Sequence, residues 1–127
     1  LVESQEVHRW IDVQSMPRAR GLDGIEITVK DISAARAFYV DLLGLSEAAG
    51  GVTASGKPGF LTREGLGFTA GEPAGPISLG LSVRNAAGLA ERLRDAGEEI
   101  VHDCPETRSF VAKDRDGNFV TLKEAGA

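Results

Sequence analysis

The sequence predicts an α+β fold built from two copies of one βαβββ module, and three observations predict it. Ile25-Glu-Ile-Thr-Val29 alternates apolar and polar residues, and an apolar stripe at helical spacing follows it and stops at Gly44. The same order returns 54 residues later, where Leu81-Ser-Val-Arg-Asn85 repeats the character of Ile27-Thr-Val-Lys-Asp31 and opens a second stripe ending at Gly97. Each strand and helix is then followed by short apolar pieces separated by Gly, Pro and charged residues, as antiparallel strands joined by turns would be.

Taken in order, residues 1–21 read as an N-terminal arm. Val7, Arg9, Ile11 and Val13 alternate with His8, Trp10, Asp12 and Gln14, which suggests a short strand, although Val7, Trp10, Ile11 and Gln14 would also share one side of a helix. Pro17 and Gly21 bracket a polar linker, so the arm would dock on the domain or on a second subunit. The domain proper spans residues 22–127, with modules at about 22–73 and 76–125. In the first strand Ile25, Ile27 and Val29 face the core, while Gly24, Glu26 and Thr28 face the other way. Asp31 or Ser33 caps the helix, whose stripe is Ile32, Ala35, Phe38, Tyr39, Leu42 and Leu43, and Gly44 supplies a left-handed end. Strands are expected at Leu45 to Ala54, Gly59 to Thr62 and Leu66 to Ala70.

The second module begins at Ile77 to Val83, with Asn85 as cap and Leu89, Ala90, Leu93 and Ala96 as the helical stripe. Its last three strands are expected at Glu99 to Asp103, Arg108 to Lys113 and Asn118 to Glu124, with Asp116-Gly117 turning the final hairpin.

Composition narrows the function. The 14 Lys and Arg against 19 Asp and Glu give a net charge of -5, with no basic stripe interleaved with aromatics, so nucleic acid is not an expected partner. No apolar run approaches the ~20 residues of a membrane span. The single cysteine, Cys104, excludes an internal disulfide and fits a reducing, cytoplasmic setting.

Several motifs resemble chemistry and lack its parts. Gly51-Val-Thr-Ala-Ser-Gly56-Lys57 matches most of a phosphate-binding loop, but Pro58 stands where a magnesium-binding hydroxyl belongs. Asp114-Arg-Asp116-Gly-Asn118 has the start of a calcium loop, yet its Gly comes early and its twelfth position is Ala125. His102, Asp103 and Cys104 are consecutive, so on a strand they cannot all reach one ion. Cys104 has the acids Asp103 and Glu106 as sequence neighbours and no cation beside it, which argues against a nucleophile.

The strand and helix at Gly24 to Leu45, their repeat at Ile77 to Gly97, and Asp114-Arg-Asp-Gly-Asn-Phe-Val-Thr-Leu122 together resemble the vicinal oxygen chelate superfamily of glyoxalases, bleomycin resistance proteins and extradiol dioxygenases. The resemblance covers roughly residues 22 to 125. It implies cupped mixed sheets of the glyoxalase/bleomycin-resistance type, with the ligand in the cup. In the family's enzymes four residues hold a divalent metal. Carried onto this chain, those positions are Gly24, Ser78, Thr121 and one residue within Leu66 to Ala70, and none is a usual ligand.

The resemblance therefore implies a cup with no metal and no other cofactor, lined by Gly24, Glu26, Thr28, Ser78, Gly80, Ser82, Phe119, Thr121 and Lys123, with Trp10 as a candidate roof. The leading expectation is a homodimeric protein that sequesters a small, partly aromatic, cationic molecule such as an antibiotic. Phe119 would stack on that ligand, and Glu26 would pair with its charge unless Lys123 or water satisfies it. Two alternatives stand beside it: a lyase, isomerase or dioxygenase-like enzyme with Glu26 as base or with Glu26 and His102 as rearranged metal ligands, and a non-catalytic interaction module.

Overall fold

A computed structural model describes residues 17–48, 53 and 55–126. The expected arm strand and Trp10 lie outside the described residues. The first module runs β1 (Ile25–Val29), helix α1 (Ile32–Arg36) with a π-helical continuation (Ala37–Leu42), β2 (Gly59–Leu61) and β3 (Leu66–Ala70). The second runs β4 (Ser78–Val83), α2 (Ala86–Asp95), β5 (Glu99–Cys104), a 3-10 turn (Pro105–Thr107), β6 (Ser109–Lys113) and β7 (Phe119–Glu124). Two mixed sheets result, ordered β1-β3-β2 and β4-β7-β6-β5. In each, the strand before the helix pairs in parallel with the module's last strand, β1 with β3 and β4 with β7.

Local chemistry sets the elements much as the sequence suggests. The Asp31 carboxylate accepts from the backbone N–H groups of Ser33 and Ala34 at the start of α1. Asn85 caps α2 from a left-handed conformation, φ 60°, and accepts from Gly88 N–H. Gly44 and Gly97 end the two helices, each at φ 82°. The π-helical segment was not legible. It closes through Leu43 N–H to the Phe38 carbonyl and Leu45 N–H to the Tyr39 carbonyl, and the wider turn accommodates the neighbouring Phe38 and Tyr39 rings, both buried.

Three expectations need correction. The strand from Leu45 to Ala54 is, in its described part, a single bridge between Glu47 and Thr62. There Ser46 N–H turns to the Glu64 carboxylate, so only Ala48 N–H to Leu61 O and Arg63 N–H to Ser46 O remain of a ladder; residues 49–52 and 54 lie outside the described residues. Ala96 is exposed, because it falls at the helix end, and Ala86 takes its place in the buried stripe. The final hairpin turns through a wider loop than Asp116-Gly117 alone, from Asp114 to Asn118, with Gly117 at φ 87°.

One core joins the modules: Ile27, Val29, Phe38, Tyr39, Phe60 and Phe68 from the first lie in one cluster with Leu79, Leu93, Val120 and Leu122 from the second. Phe68 is its centre in the first sheet, stacked on Phe60 at 4.7 Å and tilted against Tyr39 at 4.6 Å. Polar bonds also cross between modules. Tyr39 donates to the buried Asp114 at 2.6 Å, Lys30 N–H to Asp116, and Arg92 to the Leu42 carbonyl. Burial, and then the hydrogen bond and charge of Asp114, push the Tyr39 hydroxyl well above its ordinary pKa, so it stays a donor.

Candidate functional site

The core takes only Ile27 and Val29 of β1; Ile25, expected to face it as well, is 41% exposed at the start of the strand, and Glu26 and Thr28 lie on the open face. Register then builds a floor across the first sheet. Glu26 pairs with Gly67 and Gly67 with Leu61; in the next row Thr28 pairs with Thr69 and Thr69 with Gly59. A Cβ at Gly67 would come within 3.0 Å of Leu61 Cδ2 and 3.8 Å of Glu26 Cγ, so the glycine keeps the middle of this row open. Above it lies a largely apolar cleft of about 520 Å³, lined by Asp23, Gly24, Ile25, Glu26, Ala48, Ser55, Leu61, Thr62, Gly65, Leu66 and Gly67. Its size is that of a small-ligand site.

Glu26 is the exposed acid on that floor. Ser55 donates to its Oε1 at 2.9 Å, and the Ser55 hydroxyl in turn lies 3.1 Å from that of Thr53. The hydroxyls of Thr53 and Ser55, the Ser55 backbone N–H and the nearby Lys57 ammonium hold its pKa below the ordinary value. Glu26 is therefore held by Ser55 in the turn that follows Thr53, a partner the sequence reading, which offered a ligand charge, Lys123 or water, did not name. It is a fixed anion at neutral pH and a weak proton acceptor.

The second sheet presents a separate open face of three rows. Ser78, Phe119, Lys113 and Glu99 form one; Gly80, Thr121, Val111 and His102 the next; Ser82, Lys123, Ser109 and Cys104 the third. Lys113 Nζ lies 6.0 Å from the Phe119 ring centroid. A register shift between Ile100 and His102 leaves Val101 unpaired and brings His102 and Cys104 onto this face, while Asp103 points away to Arg94. That shift has no clear sequence signature.

The expected cup residues are thus distributed, not gathered. Gly24 and Glu26 line the cleft. Ser78 and Gly80 line a neighbouring groove of about 290 Å³ together with Gly24. Lys123 borders a recess of about 450 Å³ with Glu106, Thr107 and Arg108. Thr28, Ser82, Phe119 and Thr121 border none of these hollows. Missed by the sequence reading were Ser55, Leu61 and Gly67, and strand pairing could have placed Gly67 beside Glu26.

The donor set does not fit the divalent metal that the family's enzymes hold. Among the described residues no group of three or more His, Cys, Asp and Glu side chains converges. At Gly24 the backbone itself stands in the way: Ile25 N–H bonds the Gly65 carbonyl at 2.8 Å, and a Cβ on Gly24 would sit 2.9 Å from that same oxygen. A side-chain ligand there would need the Gly65 turn to shift.

Comparison with solved structures finds the same fold. A glyoxalase family protein from Bacillus anthracis superposes with a TM-score of 0.67 at 19% identity, over 86% of this chain and 98% of that one. The fosfomycin resistance protein FosX from Listeria monocytogenes, complexed with Mn(II) and sulfate, gives 0.67 at 20% identity over 84% and 91%. TnmS3, an antibiotic binding protein from Streptomyces sp. CB03234, gives 0.67 at 19% over 86% and 98%. No curated protein sequence matches the chain significantly. The family model described as Glyoxalase/Bleomycin resistance protein/Dioxygenase superfamily matches residues 21–122, and the chain belongs to that superfamily.

Proposed function

We propose that this protein binds and sequesters a small organic molecule without a metal, working as a cytoplasmic homodimer. One observation carries the reading: at the family's first metal position the backbone has closed on Gly24, while beside it an apolar cleft of about 520 Å³ stays open over Gly67. The likeness to TnmS3, whose description is antibiotic binding, supports an antibiotic among the candidate ligands. Glu26 adds a fixed negative charge at the wall, which favours neutral or cationic ligands over anions.

The test is metal analysis of the purified protein, followed by a thermal-shift screen of small molecules and sedimentation for the assembly. A ligand at 100 times its Kd should stabilise the fold by about 2.7 kcal/mol, which such a screen detects. A stoichiometric, tightly held divalent ion overturns the metal-free reading, and turnover of a screened ligand replaces sequestration with catalysis.

A further inference from the structure

The cleft above Glu26 and the groove beside Ser78 are bounded by one shared partition. Asp23, Gly24, Ile25, Gly65 and Leu66 line both. Two of these five, Gly24 and Gly65, have no side chain. Gly65 holds φ 104°, a conformation that strongly favours glycine, and a Cβ on Gly24 would meet the Gly65 carbonyl oxygen. At these two positions the partition between the hollows is backbone alone.

The far side is suited to a ligand in two ways. Its mouth carries exposed apolar surface: Leu22 is 80% exposed and Ile25 41%, two of the three large hydrophobic residues left exposed among the described residues. Both border this groove, together with Leu79 and Leu81. It also runs past two edge strands, β1 and β4. On β4 the carbonyls of Ile77 and Val83 accept from Phe119 and Ala125, so alternate residues Ile77, Leu79, Leu81 and Val83 direct their backbone at β7. Ser78 and Gly80 then direct their N–H and C=O groups outward, along the groove they line.

We infer that cleft and groove are two subsites of one elongated site crossing the module boundary over the Gly24–Gly65 saddle. The ligand class is a long, largely apolar molecule of about two ring systems that carries hydroxyl, carbonyl or amide groups along one edge. Its apolar body lies on Leu22, Ile25, Leu61 and Leu66, and its polar edge meets the backbone of Ser78 and Gly80. This deepens the proposed function and rests on it, since it assumes that the cleft holds a small molecule.

Two neutral fluorescent probes test it: 2-naphthol, which fits within the cleft, and N-phenyl-1-naphthylamine, which has a second ring system to lay across the saddle. The longer probe should bind about tenfold tighter. Ser78→Trp, an exposed change that fills the groove, should remove about that tenfold for N-phenyl-1-naphthylamine and alter 2-naphthol less than about twofold. Gly80→Val serves as a second variant, with each variant's Tm checked to confirm the fold. Equal affinity of the two probes, or equal effects of Ser78→Trp on both, overturns the elongated site. If neither probe binds while a compound from the screen does, the elongated site falls and sequestration stands; if no compound binds at all, both fall.

Discussion

In the first module a three-stranded sheet, β1-β3-β2, carries a cleft of about 520 Å³; in the second a four-stranded sheet, β4-β7-β6-β5, carries a broad open face. Both begin with a strand, a side-chain cap and a helix ended by glycine at φ 82°. What separates them comes after the helix. Among the described residues the first module has only the Glu47–Thr62 bridge before β2, and its helix widens into a π segment; the second has a full edge strand and a regular helix of 10 residues. The difference teaches that the duplicated strand–helix unit fixes the scaffold, while the unduplicated remainder shapes the hollows.

The largest effect expected from breaking this comparison is in the aromatic centre of the first module. Phe68→Ala removes a ring stacked between Phe60 and Tyr39 and should cost about 3–5 kcal/mol in chemical denaturation. Val120→Ala, at a fully buried position of the second sheet, should cost about 2 kcal/mol. Equal losses would mean that the cores do not differ as the rings suggest. Tyr39→Phe comes next, at about 1–3 kcal/mol, because it leaves Asp114 buried with one donor fewer. As that bond joins the modules, a single unfolding transition should move as a whole; a split transition would show the modules to be independent.

The smallest effects compare the helix starts. Asp31→Ala should cost about 1 kcal/mol. At α2 the Glu124 carboxylate also accepts from Ala86 and Asn85 N–H. Those backbone donors, Ala86 first, hold its folded pKa below the ordinary 4.5. A depressed folded pKa gives stability that is present above the unfolded value and lost as pH falls through the folded one. Glu124→Gln should therefore flatten the decline of Tm below about pH 4.5 and leave Tm at lower pH unchanged. An unaltered acid profile would remove Glu124 from the cap.

The scaffold was legible because its signals are local. Asp31, Asn85, Gly44 and Gly97 announce helix ends, and the alternation in β1 marks Ile27 and Val29 as core, though Ile25 at the strand's start is exposed. Of the residues that line the cleft, the sequence reading named Gly24 and Glu26. Ser55 reaches Glu26 across 29 residues, and Leu61 meets Gly67 through strand pairing, neither of which periodicity encodes. The register shift at Val101, which turns His102 and Cys104 toward the open face, is a choice of pairing that the sequence between them does not mark.

The bond from Tyr39 to Asp114 has a further consequence, in the order of assembly. Asp114 organises the β6–β7 loop by accepting from Asp116 and Asn118 N–H and from the Asn118 side chain, and Lys30 N–H holds Asp116 from the other module. The turn that completes the second sheet is thus finished by residues 75 and 86 positions earlier in the chain. Such distant closure is slow, because the intervening chain must be ordered before the contact stabilises anything. As the chain emerges from synthesis, Tyr39 and Lys30 of the first module would wait for the last hairpin to supply their partners.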